Sequence, residues 1–173
     1  MTGDASPAVD FWYEFASPYS YVAAAVIEPR AAAAGVDLRW RPFLLGPIFA
    51  RQGWRDSPFN VYPAKGRYMW RDMARRCAAL GLPFALAAFR ANFAEGRDIG
   101  ERATMAAIIA SLERDPEAVL ARAEADDIKA ALRGATERAM ALGIFGAPTL
   151  VVGDELFWGG DRIEDALDCA RGA

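Results

Sequence analysis

The chain has 173 residues, 54% of them hydrophobic and 25% charged, which is enough apolar content to bury a core and too little length for two full domains. Its 20 basic and 23 acidic residues give a net charge of -3, with no long basic run, and this argues against nucleic acid, whose phosphates select a basic stripe. Histidine is absent, so Ser-His-Asp and Cys-His catalysis, most zinc sites and any imidazole proton shuttle are excluded.

In chain order, Val9 to Phe15 (VDFWYEF) is rich in β-branched and aromatic residues and predicts a strand that ends at Ala16-Ser17-Pro18. A helix follows at once, with Ser17 suited to the N-cap, Pro18 to the first helical position and Gly35 to the stop after Ala34. Pro29 is expected to kink or interrupt it. Val36 to Phe43 alternates Val36, Leu38 and Trp40 with Asp37, Arg39 and Arg41, the period of two of a second strand.

Leu44 to Pro63 contains Gly46, Pro47, Gly53, Pro58 and Pro63 and reads as an irregular loop with room for a short helix near Ile48. Lys65 to Leu80 reads as a helix closed by Gly81 and Pro83. Phe84 to Leu142 is Ala-rich, with Asp115-Pro116 as a fresh start and Gly143 as a stop, and predicts three or four helices. Thr149 to Val152 and Glu155 to Trp158 flank Gly153-Asp154 and predict a hairpin, followed by a last helix from about Asp161 to Ala170.

The order β-α-β, helices, β-β-α is that of an α/β protein, a thioredoxin-like domain spanning residues 1–173 with an all-helical insertion after the second strand, at about 64–142. The two cysteines, Cys77 and Cys169, form neither a CxxC nor a metal-ligand spacing, so a disulfide scaffold, a dithiol centre and a metal site are all disfavoured and both thiols read as structural. The start of the chain lacks a positive segment followed by an apolar one, and no apolar stretch approaches the ~20 residues of a membrane span, which predicts a cytoplasmic protein.

Four stretches can carry chemistry. Ser17-Pro18-Tyr19-Ser20 puts a hydroxyl at a strand-to-helix turn, where unpaired N–H groups and the helix dipole favour a negative charge such as a bound thiolate; the plainer reading of Ser17 is an N-cap. Phe145-Gly146-Ala147-Pro148-Thr149 precedes a strand, where a cis-proline would let the Ala147 backbone pair with an extended peptide and a trans-proline would merely start the strand. In Gly159-Gly160-Asp161-Arg162 the Asp161 carboxylate can accept a ligand ammonium, or it can form a capping box with Glu164. Lys65, one of two lysines, can pair with a ligand carboxylate or stand as a solvated charge at a helix start.

Together these stretches resemble a known family. Asp10-Phe11 through Ser17-Pro18-Tyr19-Ser20-Tyr21, Arg41-Pro42-Phe43-Leu44-Leu45-Gly46, Pro63-Ala64-Lys65-Gly66-Arg67-Tyr68, and Ile144-Phe145-Gly146-Ala147-Pro148-Thr149 through Gly160-Asp161-Arg162 look like 2-hydroxychromene-2-carboxylate isomerase. That family groups with kappa-class glutathione transferases in the DsbA-like branch of the thioredoxin superfamily, and the likeness covers nearly the whole chain.

The resemblance implies glutathione as cofactor, a small aromatic substrate, a homodimer, and no nucleic-acid or membrane partner. It implies that Ser17 orients the cofactor's thiolate, that Ala147 before Pro148 holds its cysteinyl unit, and that Asp161, with Gly160 and Arg162, receives its γ-glutamyl end. Lys65, with Asn60 or Asp56, would complete the carboxylate contacts. Where the family commonly has Ser or Asn, this chain has Gly160, and between Pro83 and Ile99 it is expected to be shortened. The implied activity is a glutathione-dependent isomerisation of 2-hydroxychromene-2-carboxylate to trans-o-hydroxybenzylidenepyruvate. The alternatives are a kappa-like transferase and a non-catalytic thioredoxin-like module. A dithiol oxidoreductase is disfavoured because Ser17 and Ser20 stand where two cysteines would be needed.

Overall fold

The computed structural model describes residues 6–80, 101–111 and 114–172. The expected shortening before Ile99 and the helix stop at Gly81 and Pro83 lie outside these residues. Contacts cluster into two compact units, one made of residues 1–73 and 134–173, the other of residues 74–133.

In the first unit, β1 (Ala8–Tyr13) pairs in parallel with β2 (Asp37–Pro42). Strand β1 also pairs antiparallel with β3 (Thr149–Val152), which forms a hairpin with β4 (Glu155–Trp158), so the sheet order is β2-β1-β3-β4. The parallel pair needs a crossover, supplied by α1 (Pro18–Ala34). The period of two along β1 sorts its side chains to two faces. Val9 and Phe11 join Leu150 beneath α1 and the last helix, packing with Ala23, Ile27, Ile163 and Leu167. Trp12 and Val151 face the opposite way, onto Phe43, Leu45, Ile48, Ala139 and Ile144.

Local chemistry sets the ends of these elements. Ser17 caps α1 and Pro18 opens it, while Gly35 closes it in the left-handed region at φ 68°. Pro29 does not interrupt α1. It removes the N–H that Ala25 would have received, and both residues are exposed, so water can take the freed carbonyl. Strand β1 ends at Tyr13, two residues before the predicted limit, because the chain turns at Glu14 to reach the α1 cap, with Ser17 N–H donating to the Glu14 carbonyl at 3.1 Å.

The predicted irregular loop between β2 and the next long helix contains two short helices, α2 (Leu45–Arg51) and α3 (Pro58–Val61). Ser57 and Pro58 start α3 by the same cap-plus-proline device as α1. Helix α4 (Pro63–Ala79) crosses from the first unit into the second. The second unit also holds α5 (Arg102–Ser111), α6 (Pro116–Ala123) and the start of α7 (Asp126–Ala141). Asp115 caps α6, and Arg102 bridges Glu117 and Glu124 at 2.8 and 2.7 Å on an exposed surface, where such pairs add little stability.

The chain ends in a 3-10 turn, Gly160–Arg162, and α8 (Ile163–Arg171). No capping box forms here. Asp161 lies inside the 3-10 turn, and the α8 N-cap position is Arg162, with no side-chain cap. Among the described residues no helix is long and apolar enough to cross a membrane, and no cluster of potential metal ligands is present. Cys77 is a buried free thiol whose pKa burial pushes up, the opposite of what a reactive cysteine needs.

Candidate functional site

The site is built where α1 begins. Ser17 is buried at 8% exposure, and its Oγ accepts the Ser20 N–H at 3.2 Å as an N-cap should. The single hydroxyl proton goes elsewhere. Ser17 Oγ donates to the carbonyl of Ala147 at 2.8 Å, across 130 positions of sequence. Ala147 precedes Pro148 through a cis peptide bond, so the hydroxyl is fastened to the proline loop. Among the described residues the Ala147 N–H has no hydrogen-bond partner.

The proline loop is tied in turn to the end of the hairpin. The Pro148 carbonyl accepts the Gly159 N–H at 3.0 Å, and Thr149 Oγ1 donates to the Gly146 carbonyl at 2.8 Å. A Cβ at Gly146 would lie 2.3 Å from the indole Nε1 of Trp158, so a side chain there would displace that exposed ring. The exposed rings of Phe145 and Trp158, with centroids 5.0 Å apart, form an aromatic edge beside the loop.

Gly159 sits at φ 111°, and a side chain there would meet Asp161 Oδ1 at 2.4 Å. Gly160 packs on α1, where a Cβ would lie 3.3 Å from Ala23 Cβ, so a side chain here would press on that helix. The Asp161 carboxylate is solvent-facing. Its ion pair with Arg162 Nε is long, at 4.0 Å, while Arg162 makes its close pair with Asp165 at 3.0 Å. Asp161 is thus available for a ligand cation.

Ser17 is therefore bonded to Ala147, and the adjoining Pro148 to Gly159, the residue that leads into the Gly160-Asp161-Arg162 turn. Asn60 and Lys65 lie on the neighbouring α3–α4 segment, which reaches α1 through the Tyr19 and Phe59 rings, 6.1 Å apart. Asn60 Nδ2 donates to Asp56 Oδ1 at 3.0 Å, and Lys65 Nζ stands 4.9 Å from the Tyr62 ring centroid. Gly66 allows α4 to approach α3, since a Cβ would meet the Phe59 carbonyl oxygen at 2.6 Å. Among the described residues neither Lys65 nor Asn60 touches Ser17 or Asp161 directly.

The structure adds Glu14, which the motif reading passes over. Its backbone N–H donates to Ser20 Oγ at 3.4 Å, and its Oε1 accepts the Leu45 N–H at the start of α2 at 3.0 Å. It lines an open cleft of about 630 Å³ together with Leu45, Phe49, Trp54, Arg55 and Asp56. Burial raises the Glu14 pKa, and the Leu45 N–H offsets part of the rise. The available signal was an acid in the turn three residues before the candidate serine.

A raised carboxyl pKa means that the folded state holds its proton to higher pH than the unfolded chain does, so wild-type stability is lost as pH rises through the folded value. The stability of Glu14→Gln minus that of wild type is therefore expected to grow from the ordinary carboxylate range up to the raised Glu14 value and then level off. Urea unfolding of both proteins across that range checks this, and a difference that shrinks with rising pH would contradict it.

The mixed sheet, the capped α1 and the cis-proline loop facing its cap define a thioredoxin-like protein in which a hydroxyl occupies the turn. The chain belongs to the family of DSBA-like thioredoxin domains, whose model matches residues 8–88 and 84–169. It is 28% identical to a 2-hydroxychromene-2-carboxylate isomerase of Sphingobium xenophagum over 90% of this chain and 94% of that protein. It is 32% identical to glutathione S-transferase kappa 1 of Caenorhabditis elegans over 44% of this chain and 34% of that protein.

Among solved structures, a 2-hydroxychromene-2-carboxylate isomerase superposes with a TM-score of 0.75 at 22% identity, covering 95% of this chain and 94% of that one. Pseudomonas aeruginosa DsbA superposes with a TM-score of 0.61 at 18% identity, covering 99% and 86%. The DsbA-like thioredoxin fold expected from the sequence is thus observed, and the sequence relatives include an isomerase and a transferase.

Proposed function

We propose that the protein is a glutathione-dependent isomerase that interconverts 2-hydroxychromene-2-carboxylate and trans-o-hydroxybenzylidenepyruvate. The observation that carries this reading is the bond from Ser17 Oγ to the Ala147 carbonyl before cis-Pro148, which sets a hydroxyl, a helix N-terminus and an open backbone N–H side by side. The similarity to an isomerase along nearly the whole chain supports it.

These residues fit the cofactor. The unpartnered Ala147 N–H can receive the cysteinyl carbonyl, and Asp161, with only a long internal ion pair, can receive the γ-glutamyl ammonium. Lys65 and Asn60, on the flanking segment, suit the remaining carboxylate. When bound, glutathione supplies a sulfur nucleophile that adds reversibly to the conjugated acceptor and relaxes its double bond. Ser17 stabilises negative charge on that sulfur by turning its hydroxyl proton away from Ala147, and the α1 N-terminus adds its dipole. No imidazole is needed, because a thiol with a free pKa of ~8.5 is acidified by a hydroxyl donor and a helix N-terminus. Phe145 and Trp158 offer ring faces to an aromatic acceptor.

Calorimetric titration of glutathione into wild type and Asp161→Ala tests the cofactor assignment. Saturable binding that weakens about tenfold in the variant is expected, the loss of one charged hydrogen bond of about 1.5 kcal/mol. No binding up to millimolar glutathione would overturn it and leave the non-catalytic module, while binding indifferent to Asp161 would remove that residue from the cofactor site. The partial match to kappa 1 favours a second reading, a transferase using the same site; product analysis separates them, since an isomerase returns free glutathione and a transferase retains it in the product.

A further inference from the structure

Resting on the isomerase reading, we propose that Glu14 is the proton donor of this site, serving the acceptor from the wall of the cleft between the β1–α1 turn and α2. Nothing in the motif pattern that links Ser17, Ala147 and Asp161 involves this residue, and without histidine the chain needs another group to move a proton.

Three observations place Glu14 in that role. It stands three residues before Ser17 in the same turn, tied to it by the Ser17 N–H to Glu14 carbonyl bond at 3.1 Å and to Ser20 by the Glu14 N–H. Glu14 lines a cleft of about 630 Å³ whose walls, Leu45, Phe49 and Trp54, suit an aromatic molecule. Leu45 is a member of the apolar cluster against which both Phe49 of the cleft and Ala147 of the proline loop pack. One carboxyl oxygen is held by the Leu45 N–H at 3.0 Å, which fixes the side chain in place.

The surrounding charges are few. Among the described residues, Arg55 and Asp56 are the other ionisable groups lining the cleft. Helix α1 presents the Ser20 hydroxyl at this turn and α2 its Leu45 N–H, while the Thr136 hydroxyl of α7 takes the adjoining Leu44 N–H. In this setting burial dominates, and Glu14 retains its proton to higher pH than an exposed glutamate does.

The step balances without a further reactant. As a bond forms to the conjugated carbon, the π electron pair of the acceptor moves onto its carbonyl oxygen, and the O–H bond of Glu14 breaks as that oxygen takes the proton. When the pair returns and the nucleophile leaves, the proton goes back to the Glu14 carboxylate, so no net proton is consumed in the isomerisation.

The test uses Glu14→Gln, which keeps an oxygen for the Leu45 N–H but has no proton of comparable acidity to give. Turnover of 2-hydroxychromene-2-carboxylate is expected to fall roughly a hundredfold, and the decline of wild-type kcat with rising pH is expected to vanish, while glutathione affinity by calorimetry changes less than about twofold. Carbon-13 NMR titration of the Glu14 carboxyl in the protein without cofactor is the second measurement and is expected to show a raised pKa. A Glu14→Gln enzyme with wild-type kcat and the same pH profile would overturn the proposal and leave the isomerase reading standing, and so would a Glu14 carboxyl that titrates like an exposed glutamate. A wild-type protein that neither binds glutathione nor turns over the substrate would overturn the isomerase reading and this proposal with it.

Discussion

Ser17→Ala is expected to lower turnover by about two to three orders of magnitude, the scale of removing one donor aimed at charge that develops during reaction. Glutathione binding should weaken far less, by about 1 kcal/mol, the value of one neutral hydrogen bond. The reason for the asymmetry is visible in the resting geometry. Ser17 already spends its proton on the Ala147 carbonyl at 2.8 Å, so binding exchanges one hydrogen bond for another, whereas only the negative sulfur draws full benefit from the donor. The variant also loses the N-cap of α1, costing about 1 kcal/mol of stability, while Pro18 stays in place to start the helix. Kinetics and calorimetry on the same preparation measure both numbers, and unchanged turnover would remove Ser17 from the chemistry.

Phe11→Ala is expected to be the most damaging single change to stability, at about 3–5 kcal/mol. Phe11 is fully buried in the middle of β1, pairing with Trp40 on one side and Leu150 on the other. Its ring contacts Tyr13 and Trp40 at centroid distances of 5.8 and 5.1 Å. Loss on that scale approaches the whole stability of a domain, about 5–15 kcal/mol. Because β1 leads directly into Glu14 and Ser17, the site would loosen with it. Urea unfolding measures the effect, and a loss under about 1 kcal/mol would mean that the two faces of the sheet are not packed as described.

Much of the fold was legible because its signals are local. The alternation in Val36 to Arg41, the Ser17-Pro18 start, the Gly35 stop and the Gly153-Asp154 turn each act within a few residues, and the strands and α1 form where they point. The short helices α2 and α3 were harder, since the glycines and prolines around them read as loop while Leu45 and Ile48 are held by burial in a distant cluster. The Asp161-Glu164 spacing matched a capping box that did not form, because the chain enters α8 through a 3-10 turn set by Gly159 and by packing of Gly160 on Ala23.

The order of elements, the lack of histidine, the serine at the turn and the absence of a cysteine pair there were determined by the sequence alone, since each is a matter of residue identity and short-range pattern. Only the tertiary structure decided that the Ser17 proton rests on Ala147, 130 positions away, that Asp161 is left without a close partner, and that Glu14 is held by Leu45 at the wall of a cleft. These depend on sheet register and on how helices cross the sheet, which bring together residues whose spacing along the chain carries no periodic signal.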